Sequence, residues 1–213
     1  MARLRGVIYD LDGTLIDSRA DLADSVNAML RRLGLPEHED RVVWSFVGEG
    51  AERLIRRSLG QHQARYPEAA PVWQEEYGAR LLVKTLLYPG IAALLQTPPA
   101  LRAVLTNKPA GFARQIVRGL GVDGAFRAVL GGDEGPRKPA PDGLLLLCGR
   151  LGIDPAEALM VGDSTVDVAT GLAAGVRTCA VAWGLGEGGA LRQADYLCET
   201  PAELSALLDR LGT

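Results

Sequence analysis

The chain has 213 residues, of which 47% are hydrophobic, and it carries a formal net charge of −3. This composition is enough to bury the core of one ordinary domain and leaves room for a second, smaller one. Proteins that bind nucleic acid or membrane surfaces in general are usually basic, so the acidic balance argues against both classes. We therefore expect neither nucleic acid nor a membrane among the partners.

The cysteine pattern bears on the compartment in which the protein works. Cys148, Cys179 and Cys198 are widely spaced and form no CxxC pair. That pattern favours free thiols in a reducing compartment over a disulfide framework or a zinc site. The apolar run near the N-terminus is too short for a signal peptide, and no window approaches the ~18 apolar residues of a membrane span. We expect a cytoplasmic protein, and the sequence does not fix its oligomeric state.

Short apolar runs alternate with helical patterns along most of the chain. This alternation is typical of a parallel α/β sheet with helical crossovers. Several of the predicted helices end at a glycine, which is a common stop signal. The predicted strands cover residues 5–10, 101–107, 126–132, 157–163, 177–183 and a short 195–198, and the predicted helices cover 111–121, 142–152, 166–175 and part of 199–212.

The alternation is interrupted once, because residues from about 16 to 83 show no strand pattern. Apolar residues recur at helical spacing from Leu22 to Leu33, with Ser18 as the expected N-cap and Asp21 three residues later as in a capping box. Further helices are predicted over residues 51–59 and about 72–82. We therefore predict an α/β core formed by residues 1–15 and 84–213 and an all-helical insert formed by residues 16–83.

Polar side chains follow four of the predicted strands at the point where each strand ends. Ligands of open α/β sheets bind beyond the carboxyl ends of the strands, which all lie at one rim. We therefore expect these side chains to converge. They are Asp10 and Asp12 after the first strand, Thr106 and Asn107 after the second, Asp133 and Lys138 after the third, and Asp163, Ser164 and Asp167 after the fourth.

The carboxylates at this rim point to a metal ion. Asp10, Asp12, Asp163 and Asp167 cannot share a rim in the ionised state without a cation, because like charges at short range favour protonation. Donor sets made only of oxygen suit Mg²⁺, which keeps several waters and often shares phosphate oxygens with its substrate. Both histidines fall in the insert, which disfavours zinc. We predict that these four aspartates form a Mg²⁺ site.

Other interpretations of the same motifs are weaker. The D-x-D-G pattern at Asp10 places glycine at the fourth position instead of the sixth, unlike a calcium-binding EF-hand. Residues 184–189 match G-x-G-x-x-G, but too few residues follow for half of a dinucleotide-binding fold, so we predict a loop. Taken alone, Lys138 is best interpreted as a surface lysine, whereas residues 162–167 fit a solvated helix cap and a functional segment equally well. The functional interpretation depends on all four strand ends together.

Four motifs resemble those of the haloacid dehalogenase superfamily in order and separation. They are DLDGTL at 10–15, LTNKP at 105–109, KPAP at 138–141 and VGDSTVD at 161–167. The resemblance implies a Rossmann-like parallel-sheet core, and it implies that the insert is the small mobile cap of that superfamily; residues 16–83 are called the cap below. Dehalogenases attack carbon and need no acid at position 12, whereas phosphatases must protonate a leaving alkoxide. Asp12 therefore favours phosphoryl transfer.

The resemblance also implies a role for each residue of the rim. It implies that Asp10 attacks phosphorus to give a phospho-aspartyl enzyme and that Asp12 acts as general acid and base. Mg²⁺ is then held by Asp10, the main-chain carbonyl of Asp12 and Asp163, while Asp167 binds a metal-bound water or supports Lys138. Thr106, Asn107 and Lys138 bind the phosphoryl group, with Thr106 and Lys138 stabilising its charge.

Within the superfamily the likeness is greatest to phosphoglycolate phosphatases, through residues 46–60 and 106–122. This implies hydrolysis of 2-phosphoglycolate, a small phosphorylated substrate. In the cap, Gly48 and Gly50 are predicted to close over the substrate's carboxylate, with Arg53 as counter-charge; a simple helix-entry turn is the alternative. A pyrophosphatase, sugar phosphatase, nucleotidase or phosphomutase, and a non-catalytic binding protein of the same fold, remain open. Asp142 after KPAP, and the segment 183–189, depart from the phosphoglycolate phosphatase pattern.

Overall fold

The computed structural model describes residues 2–97, 101–186 and 193–212, and a six-stranded parallel sheet lies at its centre. The sheet has the order β5-β4-β1-β6-β7-β8, so β1 lies between β4 and β6. All six predicted strands are present, each shorter than its apolar run. In chain order the strands are β1 (Gly6–Tyr9), β2 (Ile16–Asp17), β3 (Leu86–Leu87), β4 (Leu101–Leu105), β5 (Ala128–Leu130), β6 (Ala158–Gly162), β7 (Arg177–Val181) and β8 (Tyr196–Cys198).

Helices cover both faces of the sheet, and four of them lie in the cap. They are α1 (Arg19–Arg32), α2 (Asp40–Trp44), α3 (Ala51–Leu59), α4 (Tyr66–Gly78), α5 (Ile91–Gln96), α6 (Ala110–Gly119), α7 (Asp142–Leu151), α8 (Thr165–Ala174) and α9 (Pro201–Leu211). The helices α1 to α4 fall inside the cap, whose bounds at residues 16 and 83 stay a prediction. None of the described helices is long and apolar enough to cross a membrane.

The fourth cap helix differs from its prediction over about 72–82. It begins at Tyr66, with Pro67 in its first turn, and it contains Pro71. A proline in the first turn costs little, because the N–H it lacks would have no partner there. Ala69, Trp73 and Tyr77 recur every four residues and are buried, so packing of this face outweighs the cost of Pro71.

A two-stranded ribbon connects the core to the cap, and the prediction that residues 16–83 contain no strand was wrong. β2 pairs antiparallel with β3, with Ile16 opposite Leu87 and Asp17 opposite Leu86. Two residues are too few to produce the alternation by which strands are recognised. The ribbon brings both connections to the cap together directly beyond β1.

The predicted capping box at the start of α1 does not form. Ser18 occupies the N-cap position, but its side chain donates to Asp12 Oδ1 at 2.5 Å instead of capping the helix. The carboxylate of Asp21 is fully buried and accepts hydrogen bonds from the backbone N–H of Lys84 (2.9 Å) and from the N–H (2.8 Å) and hydroxyl (2.7 Å) of Thr85. Asp21 therefore links α1 to residues 84 and 85, where the chain returns from the cap to the core.

The core lies on both faces of β1, whose four residues are all buried. Val7 and Tyr9 face the layer that also contains residues of the cap and of α6, whereas Ile8 faces the layer that contains α7. Strands buried on both faces are typical of parallel sheets covered by crossover helices. All three cysteines are free and buried, and Cys179 belongs to this core, as predicted.

Candidate active site

The turn after β1 is shaped by close contact with the end of β6. Asp10 extends the pairing of β1 through its N–H to the carbonyl of Val161 at 2.8 Å. Gly13 has φ +88°, and a Cβ at this position would lie 2.1 Å from Asp163 Oδ2. Any side chain would both strain the backbone and collide with the carboxylate. Gly13 therefore allows the Asp10–Asp12 turn to pack directly against Asp163.

Three carboxylates converge beneath this turn. One oxygen from each of Asp10, Asp163 and Asp167 lies within 4.8 Å of the others, and all three residues are buried. Lys138 is also buried, and its Nζ lies 2.7 Å from Asp10 Oδ1 and 2.6 Å from Asp167 Oδ1. The structure thus brings together side chains that follow β1, β5 and β6. One ammonium group faces three carboxylates, so the cluster carries excess negative charge.

This excess charge shifts the ionisation of the cluster. Burial and the neighbouring Asp167 raise the pKa of Asp10 well above its usual value, because one lysine serves two carboxylates. Burial, followed by Asp167, raises the pKa of Asp163 to about 6. Burial alone would lower the pKa of Lys138, but the carboxylates of Asp10 and Asp167 raise it above its ordinary value. Both carboxyl shifts are those that a cation would reverse.

The donor set fits a hard divalent cation. The cluster offers only carboxylate oxygens, from two different strand ends, in a buried position. Mg²⁺ is bound through one or two carboxylates with water and substrate oxygens completing its octahedron. Chemistry and charge therefore both fit Mg²⁺ at Asp10 and Asp163.

Asp167 is held from two sides. It stands in the first turn of α8, where its Oδ2 accepts from the N–H (3.1 Å) and the hydroxyl (2.6 Å) of the N-cap residue Ser164. Its other oxygen accepts from Lys138. These contacts include the predicted support of Lys138, and the predicted role of Asp167 toward a metal-bound water stays a prediction because its carboxylate also belongs to the cluster. The capping interpretation of this segment is also correct, but the side chain is 1% exposed and is not solvated.

Asn107 and Thr106 follow β4 at the same rim and are buried. The side chain of Asn107 accepts from the N–H of Lys138 at 2.9 Å and donates to the carbonyls of Lys138 and Gly48, each at 3.1 Å. It therefore fixes the backbone of Lys138 and ties the cap loop to the core. Thr106 Oγ1 accepts from the N–H of Lys108 at 3.1 Å. Asp133 is used elsewhere, because it accepts from the N–H of Ala110 at the start of α6.

The segment after β7 supports Asp163 rather than a nucleotide. The N–H of Leu185 donates to Asp163 Oδ2 at 2.6 Å, and Trp183 Nε1 donates to the carbonyl of Thr14 at 3.0 Å. A Cβ at Gly186 would lie 1.7 Å from the Asp163 carbonyl oxygen, so only glycine allows this approach. Residues 184–186 form neither helix nor strand, and residues 187–189 of the G-x-G-x-x-G match lie outside the described residues.

A pocket lies between the rim and the cap. Gly48 and Gly50 belong to its wall, but Arg53 does not. The closure of Gly48 and Gly50 over the substrate's carboxylate stays a prediction. The Arg53 side chain is 63% exposed and forms an ion pair with Glu49. The structure therefore places the predicted counter-charge on the surface. The core side of the wall is formed by Asp10, Asp12, Thr106, Asn107, Lys108 and Pro109, and the cap side by Leu22, Val47, Gly48, Gly50, Ala51, Leu54 and Trp73.

Asp12 has partners that the sequence did not reveal. The ammonium of Lys108 lies 2.9 Å from Asp12 Oδ1 and 2.8 Å from the hydroxyl of Tyr77 on α4. Burial alone would lower the pKa of Lys108, but Asp12 and Tyr77 raise it above its ordinary value, so this lysine is cationic. Lys108 stands within the LTNKP motif, which was the available signal. Nothing in the sequence pairs it with Tyr77 on a distant cap helix.

The parallel sheet, the helical cap after its first strand and the rim of carboxylates around a buried lysine together define a Rossmann-like α/β core with an inserted helical cap. Residues 7–181 match the family model described as haloacid dehalogenase-like hydrolase. The chain belongs to this family.

Individual relatives agree with this assignment. The chain is 35% identical over 177 residues to a phosphoglycolate phosphatase of Pasteurella multocida, and the aligned region covers 77% of this chain and 79% of the relative. It is 39% identical over 171 residues to a phosphoglycolate phosphatase of Psychrobacter arcticus, covering 74% of each. A solved structure of a predicted phosphoglycolate phosphatase from Haemophilus somnus superimposes with a TM-score of 0.91 at 28% identity, covering 97% of this chain and 99% of that one.

Proposed function

We propose that this protein is a Mg²⁺-dependent phosphomonoester hydrolase that acts through a phospho-aspartyl intermediate. We further propose that its substrate is 2-phosphoglycolate, which it converts to glycolate and phosphate. The observation that carries the proposal is the cluster of Asp10, Asp163 and Asp167 around Lys138, because one of its members, Asp10, forms part of the wall of a pocket under the cap. The substrate is supported by the relatives that carry the name phosphoglycolate phosphatase.

Binding places the phosphoryl group over Asp10. Asp10, Asp163 and the main-chain carbonyl of Asp12 would hold Mg²⁺, with Asp167 behind Lys138. A bound Mg²⁺ would neutralise the carboxylates and orient the phosphoryl group. Lys138 and the hydroxyl of Thr106 stabilise the charge on the remaining oxygens, since both are buried in a site where electrostatic interactions are strong.

In the first step a carboxylate oxygen of Asp10 attacks phosphorus, and the bond from phosphorus to the ester oxygen breaks. Asp12 gives its proton to the departing oxygen, so the product leaves as an alcohol. The hydroxyl of Ser18 lies 2.5 Å from Asp12 Oδ1 and holds this carboxyl in position.

In the second step water hydrolyses the phospho-aspartyl group. Asp12, now a carboxylate, takes a proton from the attacking water, and the bond between phosphorus and the Asp10 oxygen breaks. Phosphate leaves, Asp10 is regenerated, and Asp12 again holds the proton it needs for the next turnover. The ion pair between Lys108 and Asp12 is the arrangement of this carboxylate form. The cap excludes bulk water during both steps.

A substrate panel tests the proposal. The purified protein with Mg²⁺ is assayed on 2-phosphoglycolate, pyrophosphate, sugar phosphates, nucleotides and p-nitrophenyl phosphate. We expect the highest kcat/KM on 2-phosphoglycolate, silence after EDTA and recovery on adding Mg²⁺. A preference for another phosphate ester would replace the substrate and keep the chemistry. No turnover of any of these phosphate esters with Mg²⁺ would overturn the hydrolase proposal itself.

A further inference from the structure

Lys108 is a buried cation in the pocket wall, and the proposed phosphoryl-transfer steps give it no contact with the substrate. Its side chain is 4% exposed, and among the described residues it is the only basic side chain that lines this pocket. The other buried lysine of the site, Lys138, is shared by Asp10 and Asp167 at the rim. The two cations therefore stand at different places, one at the transferred group and one beyond it.

The ammonium of Lys108 is held in place by neighbouring side chains of the core and the cap. It donates to the hydroxyl of Tyr77 and to Asp12, and it lies 4.8 Å from the centroid of the Tyr77 ring. Tyr77 is in turn fixed between Trp73, stacked at 5.0 Å, and Phe112, edge-on at 5.1 Å. An ammonium has three N–H donors, and these contacts occupy two of them. A third donor is thus available at a fixed point of the wall.

This point lies next to the leaving group. Asp12 must reach the ester oxygen to protonate it, and Lys108 is within hydrogen-bond distance of the Asp12 carboxylate. A group one or two bonds beyond the ester oxygen therefore lies within reach of Lys108. In 2-phosphoglycolate, that group is the carboxylate.

The rest of the wall makes the position selective. Its cap side presents aliphatic and aromatic side chains, including Leu22, Val47 and Leu54. A leaving group rich in hydroxyls would lose hydrogen bonds to water against this surface without replacing them. The indole N–H of Trp73, in the same wall, is buried and has no hydrogen-bond partner among the described residues. Cation and apolar surface together suit a short leaving group with one anionic end.

We propose that Lys108 is the specificity-determining residue of this site and binds a carboxylate that is attached directly to the ester carbon of the leaving group. The inference rests on the proposed phosphatase function and assigns the recognition of its substrate to one side chain. Tyr77 is the positioning residue, because it holds the ammonium from the cap. The cap thereby contributes to selectivity through a residue of the core.

The experiment compares two substrates of the same size. In 2-phosphoglycolamide a neutral amide replaces the carboxylate of 2-phosphoglycolate, and the ester is unchanged. We expect the wild-type protein to prefer the carboxylate by about 100-fold in kcat/KM, because the neutral amide brings no negative charge to the third N–H of the buried ammonium. Lys108→Met lowers the rate on both substrates, since Asp12 loses its partner, but the preference falls to within about threefold, the size of a minor packing effect.

Two further variants act as matched controls. Lys108→Arg keeps the charge and is expected to retain most of the preference, while Tyr77→Phe keeps the ring and lowers the preference without abolishing it. Equal losses on both substrates in Lys108→Met would overturn the proposal and leave Lys108 as a partner of Asp12 only. If Lys108→Met does not fold, the ratio of kcat/KM on the two substrates is compared between Lys108→Arg and the wild-type protein. A wild-type ratio near one would also overturn the proposal.

The assay also separates this inference from the proposed function. Turnover of p-nitrophenyl phosphate without turnover of either glycolyl ester would overturn the substrate and the role of Lys108, and leave the phosphatase chemistry standing. Turnover of 2-phosphoglycolate with no loss of preference in Lys108→Met would overturn only the role of Lys108. Turnover of none of these phosphate esters would overturn the proposed function first.

Discussion

The rim of the sheet and the cap side of the pocket wall differ in the chemistry of the side chains that they present. At the rim, Asp10, Asp163, Asp167 and Lys138 are buried charges that each have at least one polar partner. The cap side of the wall is apolar and has no charged side chain among the described residues that form it. The rim therefore suits a fixed electrostatic task, while the wall suits a choice between leaving groups. Reaction class and substrate preference are expected to respond to different substitutions.

The largest effect is expected from Asp10→Asn, because the nucleophile is lost while shape is kept. We expect kcat to fall by about 10⁴-fold or more on every substrate, with no acid-stable, hydroxylamine-sensitive phosphoenzyme. Stopped assays with radiolabelled substrate measure both quantities. Asp123→Asn, at an exposed aspartate outside the site, is the matched control and is expected to behave as wild type. Retained turnover in Asp10→Asn would reject the nucleophile.

Lys138→Met tests whether the two buried lysines divide the work. Removing Lys138 leaves Asp10 and Asp167 without their shared cation, so we expect about a 10³-fold loss of kcat regardless of the leaving group. Lys108→Met is also expected to lower the rate, but of the two variants it alone is expected to change the preference for a carboxylate in the leaving group. The measurement is kcat/KM on 2-phosphoglycolate and p-nitrophenyl phosphate for both variants. Identical substrate profiles for the two variants would remove the distinction between rim and wall.

Metal binding should depend on pH through Asp163, whose pKa is raised to about 6 by burial and Asp167. The unfolded chain releases this proton near the ordinary pKa of aspartate, so between that value and about 6 the folded state binds more protons. The stability of the metal-free protein contributed by Asp163 is therefore present at low pH and lost as pH rises through about 6.

Mg²⁺ should offset this loss, because it binds the ionised carboxylates. At a Mg²⁺ concentration of about 100 Kd, we expect Tm to rise by about 5–10 °C at pH 8 and clearly less at pH 5. Thermal unfolding followed by circular dichroism, with and without EDTA, measures the shift. Asp163→Asn is expected to lose most of it at pH 8. A Tm shift that is equal at both pH values would contradict the assignment of Asp163 as a metal ligand.

The connection between core and cap offers a test of stability apart from chemistry. Thr85→Val removes the hydroxyl that donates to the buried Asp21 carboxylate at 2.7 Å and keeps the shape of the side chain. We expect the free energy of unfolding to fall by about 1–3 kcal/mol, with little change in kcat. Urea denaturation measures the change. A large loss of activity at unchanged stability would instead place this contact in the closing motion of the cap.

The features that could be predicted from the sequence lie mostly at the rim, and those that could not lie mostly in the pocket wall and the connection to the cap. The strands could be predicted because each is a continuous apolar run, and Asp10, Lys138 and Asp163 could be placed because strand ends share one rim. The β2–β3 ribbon could not, since two residues show no period. The environment of Lys108 could not be predicted either, because its contact with Tyr77 depends on how α4 packs, and no local sequence pattern indicates that packing.

The smallest effect is expected from substitution of Arg53, whose predicted role differs from its position in the structure. The sequence predicts that it neutralises the substrate's carboxylate, whereas the structure places it on the surface, paired with Glu49 and 63% exposed. Exposed ion pairs contribute at most about 1 kcal/mol, so we expect Arg53→Ala to change KM for 2-phosphoglycolate by less than about threefold. Lys108→Met, measured in parallel, should show the large effect. A tenfold rise of KM in Arg53→Ala, absent for p-nitrophenyl phosphate, would mean that the cap loop brings Arg53 over the pocket when substrate is bound, and recognition of the carboxylate would then belong to the cap.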